Sequence, residues 1–102
     1  MNIYELSTGV LVEFDERKSE WLANNPKRRC SFHDAMHIFE DPNTIYDSNN
    51  DEPPKHLAIG WVSAKLITLI FETRIDSVLG EYEHLVTLWK TTKEERRRYG
   101  IK

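Results

Sequence analysis

The chain has 102 residues, of which 39% are apolar, and its formal net charge is -3. That length holds one domain built on a single core, and with three tryptophans the composition excludes wholesale disorder. A lone cysteine, Cys30, excludes an internal disulfide and fits a reducing compartment.

No apolar run approaches the length of a bilayer span, and the opening M-N-I-Y-E-L lacks the basic segment and apolar run of a signal peptide. The expectation is a soluble cytoplasmic protein with no membrane partner. A net acidic chain is a poor general nucleic-acid binder, but the charge is unevenly spread. Residues 90–102 carry Lys90, Lys93, Arg96, Arg97, Arg98 and Lys102 against Glu94 and Glu95, a balance of +4, which leaves -7 for the rest of the chain. Such asymmetry suits a phosphate partner at one end and a basic partner elsewhere, or is ordinary surface charge.

In chain order, residues 1–9 are polar and read as a lead-in or a short edge strand. V-L-V-E-F at 10–14 has strand composition. Asp15 then opens a predicted helix as its N-cap, with Trp21 and Leu22 on the inner side. Asn24-Asn25-Pro26 ends it, because the residue before proline is pushed out of the helical region. Lys27-Arg28-Arg29 follows in a loop, where three cations can track a phosphate backbone without specifying a base, or simply keep the loop solvated. Ser31 begins a second predicted helix that runs to Glu40, with Ser31 and Asp34 as an S-x-x-D cap. Phe32, Ala35, Met36 and Phe39 fall on one buried stripe. His33 and His37 lie four apart beside Glu40, the spacing of a zinc pair, but no third strong ligand accompanies them. They read as exposed, non-ligating histidines, and neither a metal nor another cofactor is expected.

Asp41-Pro42 ends this helix and residues 43–46 form a short extended piece. D-S-N-N-D-E-P-P at 47–54 is a polar, mobile loop. H-L-A-I-G-W at 56–61 is a strand, 62–64 a turn, and L-I-T-L-I-F-E-T at 66–73 a central strand covered on at least one face. Residues 75–80 carry the chain round to a further strand, in which Tyr82, His84, Val86 and Leu88 alternate with Glu83, Leu85, Thr87 and Trp89. Thr92 and Glu95 then stand in capping-box relation at the start of a last helix. Arg96, Arg97 and Arg98 suit its negative end, and Gly100 is its stop.

These elements predict one α+β domain over residues 1–102. It would hold an antiparallel sheet of about four strands, two N-terminal helices and a short C-terminal helix. With the helices on one face, the other face would lie open beside cationic loops and could receive a single strand of RNA.

Four pieces of the chain, taken in order, resemble the BrnT family of type II toxins. V-E-F-D-E-R-K at 12–18 is similar to the family's F-x-W-D-x-x-K. K-R-R-C-S-F-H-D-A at 27–35 with F-E-D-P at 39–42 is similar to its K-H-G-V-S-F-x-x-A and F-x-D-P. A-I-G-W at 58–61 is similar to its I-G-R, and K-T-T-K-E-E-R-R-R-Y at 90–99 to its closing R-x-A-T-x-x-E-R-R-R-Y. The resemblance implies a RelE-like fold and a metal-independent endoribonuclease, of the mRNA-interferase kind, that blocks translation. It also implies a cognate antitoxin, a small DNA-binding protein of ribbon-helix-helix type. Operator DNA would be met only through that antitoxin, in an oligomer with it. The departures are Arg28-Arg29 in place of His-Gly, Trp61 in place of an arginine, and H-L-V-T-L-W at 84–89 in place of R-I-I-S-A-R. Arg74 keeps the family's arginine after the apolar strand.

Metal-free RNA cleavage needs a base for the 2′-hydroxyl, an acid for the leaving oxygen and cations at phosphorus. His84 is the candidate acid or base, since imidazole as a group titrates near neutrality. Glu72 is a second proton-transfer group, and Arg74 and Lys90 stabilise the phosphate. Lys27, Arg28 and Arg29 hold the RNA backbone, and Trp61 or Trp89 offers a stacking surface. The plainer alternatives are a half-buried strand histidine, an edge salt bridge and core tryptophans. A second function class also stands: a catalytically inactive BrnT-like protein-binding module, left after the loss of the family's arginines.

Overall fold

The computed structural model describes residues 2–102. In chain order it holds β1 (Tyr4–Glu5), β2 (Leu11–Glu13), α1 (Glu16–Asn24), α2 (Phe32–Ala35), β3 (Ile45–Ser48), β4 (His56–Val62), β5 (Lys65–Asp76), β6 (Gly80–Lys90) and α3 (Lys93–Arg98). A 3-10 helix, Met36–Glu40, continues directly from α2. The strands form one sheet in the order β1-β2-β6-β5-β4-β3.

This corrects the predicted architecture of about four antiparallel strands with two N-terminal helices and a RelE-like plan. The sheet has six strands and is mixed, because β2 runs parallel to β6. The antiparallel part, β3 to β6, is built from strands joined by short links, which is why its pairing is local and legible. In the β4–β5 hairpin, Ser63 and Ala64 both take positive φ, the backbone of a tight two-residue turn. The parallel pair joins strands about 70 residues apart through the helices and three other strands, so no turn chemistry announces it.

The predicted helix ends are where the local chemistry places them. Asp15 accepts from the Arg17 and Lys18 amides, and Ser31 from the Asp34 amide. Thr92 and Glu95 exchange both bonds of the capping box. The predicted single helix from 31 to 40 is instead one α-turn and a 3-10 segment. At three residues per turn Phe32, Ala35 and Ile38 share one face, and all three are sealed in the core. Phe39, placed on the buried stripe by the 3.6-residue period, is only partly buried.

That helical layer covers one sheet face. Val12, Ala58, Leu69, Phe71, Leu85 and Leu88 point into it beside Leu22, Phe32 and Ile38. Trp21, predicted to face inward, is instead exposed and carries the Arg28 guanidinium near its ring. Burial pushes the Cys30 thiol up to about 11, which makes it an inert packing group. Also on this face, burial raises Glu83 above the ordinary carboxylate range.

The helices do not all lie on one face. α3 crosses the opposite face at one end, where Glu95 accepts hydrogen bonds from Thr68 and from the Trp89 indole. The other end of that face stays uncovered. Among the described residues no helix is long and apolar enough to cross a membrane.

Candidate active site on the open sheet face

Strand alternation sets which residues meet on the open face. Glu13 is the register partner of His84 on β6, and His84 is the partner of Glu72 on β5. Lys55, immediately before β4, extends the row: its Nζ lies 3.5 Å from Glu72 Oε1. Four neighbouring segments thus contribute one row of side chains: carboxylate, imidazole, carboxylate and ammonium. Val12 and Leu85, one residue away along the same strands, point into the core, which fixes this row on the outer face.

His84 Nδ1 is 3.0 Å from both oxygens of Glu13. Only an N–H can bond to an ionised carboxylate, so Glu13 holds the Nδ1–H form and leaves Nε2 with the lone pair in neutral imidazole. Both side chains are mostly shielded, at 22% and 15% exposure, so the ring orientation is set by protein contacts. This is the orienting role that a carboxylate plays for any imidazole base.

A β-bulge decides what lies next to this row. Ile70 pairs with Thr87, but Phe71 pairs with Leu85, so Val86 is the extra residue. The simple alternation read from residues 82–89 therefore breaks at Val86. Leu88 joins Leu85 in the core, while Thr87 and Trp89 join His84 on the outer face. The result is a groove of about 630 Å³ between β6, the segment after β3 and the C-terminal end of α3. Its apolar side is Leu57, Ile70 and Val86, its aromatic groups are Trp89 and Tyr99, and Lys55 and Arg98 are its cations. The Tyr99 hydroxyl donates to Asp47 Oδ2 at 2.6 Å. On the other side of His84 lies a shallow depression lined by Glu13, Asp15 and Glu16, where negative charge dominates.

The predicted site residues divide. His84, Glu72 and Arg74 are brought together: Arg74 stands one pleat beyond Glu72, with its NH2 3.8 Å from Glu72 Oε2. Lys90 is not among them. It sits at the opposite end of β6, roughly 20 Å away along the strand. The 27–29 triplet does not act as one cationic unit. Lys27 and Arg29 are exposed, but Arg28 is half-buried, and its NH1 donates to the Leu88 carbonyl at 2.9 Å. Arg28 is a pin between loop and sheet. Trp61 is 55% exposed at the far end of β4, away from His84, and so is neither core nor part of this site. Trp89 is the tryptophan that lines the groove.

Three groups escaped the sequence reading: Glu13, Lys55 and Asp47. Period-two alternation in V-E-F already sets Glu13 opposite Val12, but its meeting with His84 depends on the parallel pairing. His33 and His37 turn to separate carboxylates. His33 bonds Glu16 at 2.7 Å, and His37 bonds Glu40 at 2.6 Å. Glu40 also accepts from the Ser7 hydroxyl and amide, and with His37 these bonds hold it down to about 2.

No family model matches the chain, and no curated protein matches it.

Proposed function

We propose that this chain is a metal-independent endoribonuclease, the toxin of a type II toxin-antitoxin pair of the kind its motifs resemble. The observation that carries the reading is the Glu13–His84–Glu72–Lys55 row, with one imidazole oriented by a carboxylate on an open sheet face. In this reading His84 Nε2 takes the proton of a ribose 2′-hydroxyl. The 2′-oxygen attacks the adjacent phosphorus and the 5′-oxygen of the next nucleotide leaves. The products are a 2′,3′-cyclic phosphate and, once an acid has protonated the leaving oxygen, a 5′-hydroxyl. The imidazolium formed at His84 can return its proton to that leaving oxygen, and Glu72 is a second proton-transfer group beside it. Lys55 and Arg74 offset charge on the phosphoryl oxygens. Glu13 is a positioning residue. The substrate is RNA in the cytoplasm, and the antitoxin would hold the free toxin in check.

A second reading, an inactive protein-binding module, is favoured by the β5–β6 hairpin. Its end carries Ile75, Val78 and Leu79, all strongly exposed, beyond the reach of β4. Within the first reading the same end would seat the antitoxin.

The test is cleavage of an end-labelled RNA in EDTA by wild type, His84→Ala, Glu13→Gln and Arg74→Ala. Removing the general base should slow cleavage by roughly 10²–10⁴-fold. Glu13→Gln should lower kcat with little change in KM. Unimpaired cleavage by His84→Ala would sink the mechanism. No cleavage of free or ribosome-bound RNA by folded, antitoxin-free wild type would leave the binding module.

A further inference from the structure

The groove beside His84 has a polar end whose chemistry is more selective than RNA cleavage requires. Asp47 Oδ1 accepts from the Ser48 amide at 2.8 Å, and Oδ2 accepts from the Tyr99 hydroxyl at 2.6 Å. A carboxylate offers about four lone-pair directions, so one on each oxygen remains free. The group is still 40% exposed at the groove wall. Arg98 stands beside it, with NH2 3.9 Å from Oδ2, too far for a committed hydrogen bond and 74% exposed. A pair of acceptors thus sits next to an exposed guanidinium, which rests 5.5 Å from the Tyr99 ring centroid. The Tyr99 hydroxyl holds the Asp47 carboxyl below its ordinary range, so the acceptors stay charged.

We propose that this groove seats a guanine base, with the Asp47 carboxylate on its N1–H and N2–H donors and Arg98 on its O6 and N7 acceptors. Guanine alone among the four bases presents two adjacent N–H donors on one edge. Adenine and cytosine would turn a ring-nitrogen lone pair toward the carboxylate, and uracil offers one N–H flanked by two carbonyls. The apolar side and the rings of Trp89 and Tyr99 suit a stacked base, and the volume lies within the roughly 300–1,000 Å³ of small-ligand sites. Val86 and Thr87 follow His84 by two and three residues, so the base would sit about 7–10 Å along the strand from the imidazole. Lys55 borders both regions. The meaning of the site, a base subsite that directs cutting to guanines, rests on the ribonuclease reading; the binding itself does not.

The experiment is calorimetric titration of the wild-type protein with guanosine, adenosine, cytidine, uridine and inosine 3′-monophosphates. Guanosine monophosphate should bind roughly 10-fold or more tightly than the other three common nucleotides. Inosine monophosphate, which lacks only the N2 amino group, should lose a similar factor without any change to the protein. Asp47→Asn, with its folding checked by thermal melting, should erase the preference. Equal binding of all nucleotides, or none at millimolar concentration, would overturn the proposal. Equal binding of the nucleotides together with RNA cutting that shows no base preference would remove the guanine site and leave the nuclease. Selective guanosine monophosphate binding by a protein that cuts no RNA would do the reverse.

Discussion

Gly60 gives the most direct test of how the sheet and its helical layer fit. Its φ is not in the left-handed region, so a side chain is barred there by space rather than by backbone strain. A β-carbon at this position would lie 2.4 Å from Ile38 Cγ1, 2.8 Å from Ile38 Cδ1 and 3.0 Å from Thr44 Oγ1. Carbon atoms in contact prefer about 3.5–4.0 Å, so the shortfall is about an ångström on two atoms at once. Ile38 is 1% exposed and has nowhere to swing. Thr44 is tied to the Ile38 carbonyl by a 2.6 Å hydrogen bond, so the two neighbours cannot part independently. Gly60→Ala should therefore cost about 1–3 kcal/mol, the range for overpacking a filled core. For a domain of this size that lowers Tm by about 4–20 °C.

Urea unfolding should show a lower midpoint with an unchanged slope. The decisive comparison uses Ile38→Ala, which alone should cost about 2–5 kcal/mol through the cavity it leaves. In that background Gly60→Ala should cost less than about 0.5 kcal/mol, because the two clashing Ile38 carbons are gone and only the 3.0 Å approach to Thr44 remains. A Gly60→Ala cost below about 0.5 kcal/mol in the wild type would refute the reasoning, as would equal costs in the two backgrounds.

Arg28→Ala should destabilise the fold by about 1–3 kcal/mol, since it removes a charged hydrogen bond to the Leu88 carbonyl and a guanidinium over Trp21. Lys27→Ala and Arg29→Ala should fall within about 0.5 kcal/mol of wild type in the same denaturation assay. Glu40 is held at about 2, below its ordinary 4.5, first by the Ser7 hydroxyl and then by His37. Its contribution is therefore fully present above about pH 4.5 and is lost as pH falls toward 2. Ser7→Ala should be less stable than wild type at pH 7, and thermal melts of the two should converge as pH approaches 2.

What the sequence made legible was local. Asp15, Ser31, Thr92 and Glu95 announce helix starts because a capping side chain bonds amides two or three residues away. The polar loop ahead of β4 and the turn at Ser63-Ala64 are equally local. What was hidden depends on distance. Trp21 faces solvent because Ser19 and Leu22, three apart, fill the core-facing places of α1. The turn from Phe32 to Ile38 tightens because three apolar residues spaced by three can all be buried that way. The bulge at Val86 has no signature in H-L-V-T-L-W, yet it decides that Trp89 lines the groove and Leu88 does not. The candidate site was half visible: His84, Glu72 and Arg74 share one hairpin. Glu13, Lys55 and Asp47 reach that hairpin's outer face from β2, the edge of β4 and β3.

The charges around His84 give the site a direction. On the β2 side, Glu13 is followed by Asp15 and Glu16, and these acids line the depression there. On the β4 side, Lys55 and Arg98 border the groove. In the ribonuclease reading an RNA strand would reach His84 over β4, where Lys55 and Arg98 are offset only in part by Asp47, rather than past the acids of the first side. Glu13 can then orient the imidazole without facing the phosphate. Glu72 sits between His84 and Lys55, where an ammonium offsets its charge before a phosphate arrives. A slip of one residue between β2 and β6 would replace Glu13 with Val12 or Phe14 beside His84. The ring would lose its orientation while the rest of the row stood unchanged. The parallel pairing, the least legible contact in the chain, is therefore the one on which the proposed chemistry most depends.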